Sequence, residues 1–75
     1  MNKQRRKKIT QAMDYIAKAK EIINEVMEEE DDAFNNLSEG LQCTMRGEQM
    51  ENNISEMEEA IDKIEEVIEN LDNVD

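Results

Sequence analysis

Apolar residues in the C-terminal half of the chain recur at alternating steps of four and three positions. This spacing is the heptad pattern of a helix that buries one stripe against a neighbouring helix. The stripe consists of Met50, Ile54, Met57, Ile61, Ile64, Ile68 and Leu71. The pattern predicts an amphipathic helix over about 45–73. Ala60, Val67 and Val74 recur beside the stripe at the g positions and widen it, which favours a helix packed within a bundle.

The N-terminal half has a second periodic segment, with charged residues on the face opposite the apolar ones. Its core positions are Ile16, Ile23, Met27 and Phe34. The segment predicts a helix over about 3–36. Glu30 interrupts the apolar series, and marks a place where the seam splays or where a partner docks.

The intervening segment, about 37–44, contains asparagine, serine and glycine, which favour turns. A connection this short brings the second helix back antiparallel to the first. Thr44 is the expected N-cap of the second helix. Leu37, Leu41 and Met45 are expected to tuck under the helix ends, and Cys43 to be a buried or half-buried side chain of the turn.

The predicted fold is all-α: one domain, an antiparallel two-helix hairpin that dimerises into a four-helix bundle. The 75 residues support only a modest core. A disulfide within the chain is excluded because Cys43 is the single cysteine. Histidine is absent, so it cannot contribute to a structural zinc site. Self-association is the remaining way to stabilise such a hairpin, and we expect a homodimer.

Charge is distributed very unevenly along the sequence. Residues 1–20 carry seven basic side chains and one acidic one, whereas residues 21–75 carry two basic and nineteen acidic ones, for a net charge of −11 over the chain. A surface of this kind repels nucleic acid and anionic membranes and attracts basic surfaces. In an antiparallel hairpin the basic 3–8 segment would lie beside the acidic end of the second helix.

Catalytic and metal-binding patterns are not supported by the residues around them. The acidic run 28–32 lacks the spacing and the glycine of a calcium loop. Carboxylates spaced three residues apart are expected by chance in so acidic a chain, and the inward positions are apolar. Cys43 has no histidine to activate it. We expect no catalytic residue, no metal and no cofactor. Since no apolar run reaches the roughly 20 residues of a membrane span, we expect a cytoplasmic protein.

The segment 33–50, AFNNLSEGLQCTMRGEQM, resembles short acidic proteins of phages, prophages and mobile elements of low-GC Gram-positive bacteria. The matching residues are Asn36, Leu37, Glu39, Leu41, Gln42, Thr44, Arg46, Gly47 and Glu48. Ser38 stands where those sequences have proline. The resemblance implies a mobile-element origin in a bacterial host cell. Small acidic proteins in that setting are often inhibitors of host defence, and some of them imitate DNA.

Two functional hypotheses follow from the sequence. In the first, the chain inhibits or modulates a basic, nucleic-acid-binding protein, such as a defence protein, by presenting rows of carboxylates in place of phosphates. The residues predicted to bind the partner are Glu28, Glu29, Asp31, Asp32, Glu48, Glu51, Glu58, Glu59, Asp62, Glu65, Glu66 and Glu69. In the second, the chain is a structural or assembly module whose apolar seam associates with other helices.

Overall fold

The computed structural model describes residues 1–74 and contains two long helices joined by a short one. Helix α1 spans Lys3–Asn35, α2 spans Glu39–Gln42 and α3 spans Met45–Asp72. The described residues contain no strand, so the all-α prediction is confirmed. The sequence predicted a plain connection at 37–44, and the single-turn helix α2 within it was not expected.

Helices α1 and α3 pack along each other in opposite directions. Lys20 of α1 forms an ion pair with Glu65 of α3, with 3.0 Å between Nζ and Oε1. Nearer the corner, the side chain of Asn53 donates a hydrogen bond of 3.0 Å to Glu30. Later residues of α1 thus meet earlier residues of α3, as the predicted antiparallel hairpin requires. The molecule is a rod measuring 58 × 15 × 12 Å.

The predicted seam residues lie between the two long helices, but few of them are enclosed. Met50 and Ile61 are buried, each 8% exposed, and they are the buried apolar side chains of the described chain. The other seam residues are half-buried: Ile16, Ile23, Met27, Phe34, Ile54, Met57, Ile64, Ile68 and Leu71. Two helices alone cover only one side of each other, so a stripe several side chains wide stays partly open to solvent.

Two polar residues of α1 occupy seam positions, and both find partners within the hairpin. Lys20 lies four residues after Ile16, at seam spacing, and pairs with Glu65 at the rim of the seam. Glu30 accepts the hydrogen bond from Asn53. The two pairs join α1 to α3 at two different positions along the rod. Together they therefore help to fix the register of the helices. At this degree of exposure an ion pair contributes only about 0–1 kcal/mol.

The long helices begin at side-chain caps. The Asn2 side chain accepts a hydrogen bond of 2.9 Å from the backbone N–H of Arg5 at the start of α1. The Thr44 hydroxyl accepts one of 3.4 Å from the backbone N–H of Gly47 at the start of α3. The prediction of Thr44 as N-cap is therefore confirmed. Such caps satisfy N–H groups that the first helical turn leaves free.

The corner between α1 and α3 is built around Gln42. Its side-chain amide donates hydrogen bonds of 3.2 Å to the backbone carbonyls of Phe34 and Leu37, at and just beyond the end of α1. Ser38 caps α2 by accepting a hydrogen bond from the backbone N–H of Leu41. Gln42 therefore takes the inward side of this single turn, and its amide ties α2 to the end of α1. The Phe34 carbonyl accepts a backbone hydrogen bond from Leu37 as well.

Several predictions for the corner were wrong. Leu41 is 54% exposed and Met45 is 87% exposed, and the free thiol of Cys43 is exposed as well. Leu41 points outward because Gln42 occupies the inward side of α2. Met45 is the first residue of α3 and lies beyond the end of α1, so no side chain of α1 packs against it. Leu37 is half-buried and does pack near the helix ends.

Replacing Gln42 with alanine should loosen this corner. The variant loses two hydrogen bonds to part-buried carbonyls, and we expect the free energy of unfolding to fall by about 1–2 kcal/mol. Urea denaturation followed by circular dichroism measures the change. Gln49→Ala is the matched control, because the Gln49 side chain is exposed and bonds only Asn53 on its own helix. Equal effects of the two substitutions would contradict a capping role for Gln42.

Candidate interaction surfaces

The antiparallel packing gives the rod two different broad sides. On one side, a shallow groove between the helices is lined by Met27, Glu28, Asp31, Ile54 and Glu58. A second groove on the same side, nearer the open end, is lined by Ala17, Lys20, Glu21, Asn24, Ile61, Glu65 and Ile68. Carboxylates of both helices therefore border the seam on this side, which we call the acidic side.

The acidic side is most regular along α3. Acidic residues follow each other there at steps of three and four, and Ser55 occupies the one position where the line is interrupted. The line consists of Glu48, Glu51, Glu58, Asp62, Glu65, Glu69 and Asp72. At 1.5 Å rise per residue, successive positions lie about 5 Å apart along the helix axis. For comparison, one DNA strand carries a charge about every 3.4 Å of its axis.

The structure brings together only part of the predicted acidic set. Every predicted residue is exposed. However, Glu29 and Asp32 occupy positions of α1 that turn away from the groove that Glu28 and Asp31 border. On α3, Glu59 and Glu66 lie on the outer surface, opposite the seam. Glu59 is also partly neutralised, because its carboxylate lies 3.3 Å from Lys63 Nζ one turn away.

The opposite side of the rod is apolar and largely open. Its groove is lined by Val26 and Met57 together with the polar residues Glu30, Asn53 and Glu56. Several large side chains on or near this side are strongly exposed, namely Tyr15 at 68%, Ile22 at 53%, Val26 at 48%, Val67 at 43% and Val74 at 40%. We call this the apolar side.

Sequence reasoning identified only half of the apolar side. It noted the g-position residues of α3, Ala60, Val67 and Val74, and counted Val26 in the apolar series of α1, but it did not separate Tyr15, Ile22 and Val26 as a row of their own. The signal was present in the sequence, because Tyr15, Ile22 and Val26 are themselves at heptad spacing. They lie between charged residues and next to the stronger Ile16 and Ile23 series, which conceals them.

The open end of the hairpin joins the basic start of α1 to the end of α3. A small cavity there is lined by Met1, Arg6, Ile9, Thr10, Met13, Leu71, Asp72 and Val74. Arg6 and Asp72 thus border the same space. This placement is the one expected from the charge pattern, with the basic segment beside the acidic helix end.

Within residues 1–74, no group of three or more acidic or cysteine side chains is placed to hold a metal ion. In the same part of the chain, no helix has both the length and the apolar character needed to cross a membrane. The grooves are shallow and border long exposed surfaces. Their geometry suits contact with an extended partner surface better than enclosure of a small molecule.

Comparison with known proteins gives no match: no family model, no curated protein and no solved structure is significantly similar to the chain.

Proposed function

We propose that this chain is a non-enzymatic interaction protein whose acidic side occupies a basic, nucleic-acid-binding surface of another protein. The observation that carries the proposal is the line of acidic residues on α3, faced across the groove by Glu28 and Asp31 of α1. Rigid helices hold these carboxylates at nearly constant spacing. A partner evolved to bind phosphates would meet a comparable row of negative charges.

The resemblance of the corner segment to phage and mobile-element proteins suggests the setting. In that setting the partner is a nucleic-acid-binding defence protein of the bacterial host, and the chain acts in the host cytoplasm as its inhibitor. Direct binding to nucleic acid is disfavoured because the acidic body repels phosphates. The structure gives the corner motif itself a folding role, since Gln42, Thr44 and Gly47 cap or pack helix ends.

Neutralising one row of the acidic side tests the proposal. We expect the triple variant Glu51→Gln, Glu58→Gln, Glu65→Gln to bind the basic partner at least about tenfold more weakly, because three charges leave the contact surface. The partner is first isolated by affinity capture from a Gram-positive lysate, and binding is then measured by calorimetry over a series of salt concentrations. Wild-type affinity should fall steeply as salt rises, since screening weakens exposed charge pairs.

The control for this experiment has the same charge change on a different surface. The triple variant Glu56→Gln, Glu59→Gln, Glu66→Gln neutralises residues outside the acidic line of α3. It should retain most of the affinity. Equal losses in the two triple variants would show that only net charge matters. Affinity that does not change with salt would contradict the proposal outright.

A second candidate function is assembly through the apolar seam, and one observation favours it. Only Met50 and Ile61 among the described apolar side chains are buried, so the hairpin leaves much of its stripe uncovered. A homodimer in the form of a four-helix bundle would cover it. The two candidates are compatible, because the acidic and apolar sides are on opposite faces of the rod.

A further inference from the structure

Helix α1 carries a second apolar stripe beside the one that packs on α3. Its members alternate steps of three and four, and Glu29 occupies the one polar position among them. The stripe consists of Ala12, Tyr15, Ala19, Ile22, Val26 and Ala33. Its large members, Tyr15, Ile22 and Val26, are about half or more exposed. A helix with two adjacent heptad seams is built to contact two neighbours, and α3 accounts for only one of them.

The second stripe continues onto α3. In an antiparallel pair the g positions of the two helices lie on the same side. Val26, three residues after the seam residue Ile23, and Asn53, seven residues before Ala60, occupy g positions and line one groove. The g residues Ala60, Val67 and Val74 of α3 therefore extend the α1 stripe sideways. Together they form a single apolar face, which on α1 extends about 32 Å from Ala12 to Ala33 at 1.5 Å rise per residue.

The charges bordering this face favour a second copy as its occupant. The first part of α1 is basic and the last part, from Glu25 to Asp32, is acidic. Within the hairpin, that acidic part runs beside the first half of α3, which is acidic as well. Its charge is therefore left without compensation in the chain. If two α1 helices run antiparallel about Ile22, residues 25–32 of one copy lie opposite residues 12–19 of the other, which carry one acidic and one basic side chain. The acidic parts of the two copies are thereby kept apart.

The positions of individual charges support the same orientation. Lys18 and Glu25 lie on one edge of the stripe, nearly equidistant from Ile22 at its centre. Two α1 helices related by a two-fold axis near Ile22 place Lys18 of each copy beside Glu25 of the other. A parallel arrangement would instead place like charges side by side along the whole helix, which costs stability.

We infer that two copies of the chain associate through this apolar face, with their α1 helices antiparallel about a two-fold axis near Ile22. The inference rests on the homodimer proposed above and specifies its face, orientation and centre. It leaves the acidic sides of both copies on the outside of the four-helix bundle. The dimer therefore presents two acidic surfaces to basic partners at once.

Light scattering across a dilution series tests the face. The wild-type chain should show twice its mass of 8.8 kDa. The variant Ile22→Glu, Val26→Glu should weaken self-association at least about 100-fold, because it places charges at the centre of the contact. Its helical circular dichroism should persist at the same concentration. The control variant Ala17→Glu, Asn24→Glu adds equal charge to the acidic side of α1 and should remain dimeric.

Cross-linking tests the orientation in a Cys43→Ser background. With a short bis-maleimide, Ile22→Cys should link two copies, because the residue lies at the two-fold axis. Tyr15→Cys should not, because seven residues from the axis on each copy separate the two thiols by about 20 Å. Linking of Tyr15→Cys as efficient as that of Ile22→Cys would overturn the antiparallel orientation.

The remaining outcomes separate this inference from the proposed function. A monomeric wild type, or an Ile22→Glu, Val26→Glu variant that stays dimeric, overturns the inferred interface. In either case salt-dependent binding of a basic partner would still support the acidic-side proposal. Conversely, the wild-type chain could be the expected dimer while the Glu51, Glu58 and Glu65 triple variant keeps its partner affinity. That combination would support the interface and contradict the proposed function.

Discussion

Replacing Gly47 with alanine should destabilise the hairpin more than almost any other single-methyl change. Gly47 is buried in the first turn of α3, which packs directly on the backbone of Gln42. An added Cβ would lie 2.6 Å from the carbonyl carbon of Gln42 and closer still to its oxygen. Backbone cannot move aside as a flexible side chain does. We expect the free energy of unfolding to fall by about 3 kcal/mol or more.

The second glycine provides a matched control. A Cβ at Gly40 would meet nothing within 4 Å, and Gly40 lies within the helical turn of α2. Gly40→Ala should therefore be neutral or stabilise the fold by up to about 1 kcal/mol, because alanine loses less backbone freedom in a helix. Thermal denaturation of both variants at one fixed protein concentration measures the difference. Similar melting temperatures for the two would show that the close approach at Gly47 is not needed for folding.

This pair of glycines also shows why the corner was harder to predict than the helices. The sequence predicted helices over about 3–36 and 45–73, and the structure has Lys3–Asn35 and Met45–Asp72. Helical periodicity and N-capping are local properties, so they can be read along the chain. The exposure of Leu41, Met45 and Cys43 was predicted wrongly. It depends on how Gln42 reaches back to α1 and how closely α3 approaches Gln42, and neither contact leaves a periodic signal.

The candidate surfaces were predicted only in part, because spacing along one helix is local whereas the orientation of the two helices is not. The acidic line of α3 was recognisable, because heptad spacing determines which carboxylates share an edge. Four other carboxylates face away from that line, which becomes evident only from the orientation of both helices in the hairpin. They are Glu29, Asp32, Glu59 and Glu66. The second stripe of α1 was missed because its large members lie next to the stronger Ile16 and Ile23 series. The positions of Tyr15 and Ile22 stand out only once α3 is in place and the uncovered face is visible.

The other large expected effect is at Ile61, near the middle of α3. Ile61 is 8% exposed and lies beneath α1, beside Lys20 and Ala17. Ile61→Asp removes this apolar contact and introduces a carboxylate where water has little access. We expect a loss of about 3–5 kcal/mol in the free energy of unfolding, which is comparable to the whole stability of a small helical hairpin. Circular dichroism should show a largely unfolded chain at room temperature.

Ser55→Asp is the control for charge, since it adds an aspartate to an exposed position of the same helix. It should change the free energy of unfolding by less than about 0.5 kcal/mol. If Ile61→Asp were as well folded as Ser55→Asp, the contact between α1 and α3 would not be what holds the hairpin together.

The position of Ile61 also determines which experiments can separate the two candidate functions. An unfolded Ile61→Asp variant would lose both partner binding and self-association, so its inactivity would favour neither. Residues of the exposed apolar side, such as Val67 at 43% exposure, can be changed without opening the contact between α1 and α3. Val67→Asp should therefore weaken the dimer while the hairpin stays folded. Retained partner binding by that variant would assign function to the acidic side, and its loss would assign function to assembly.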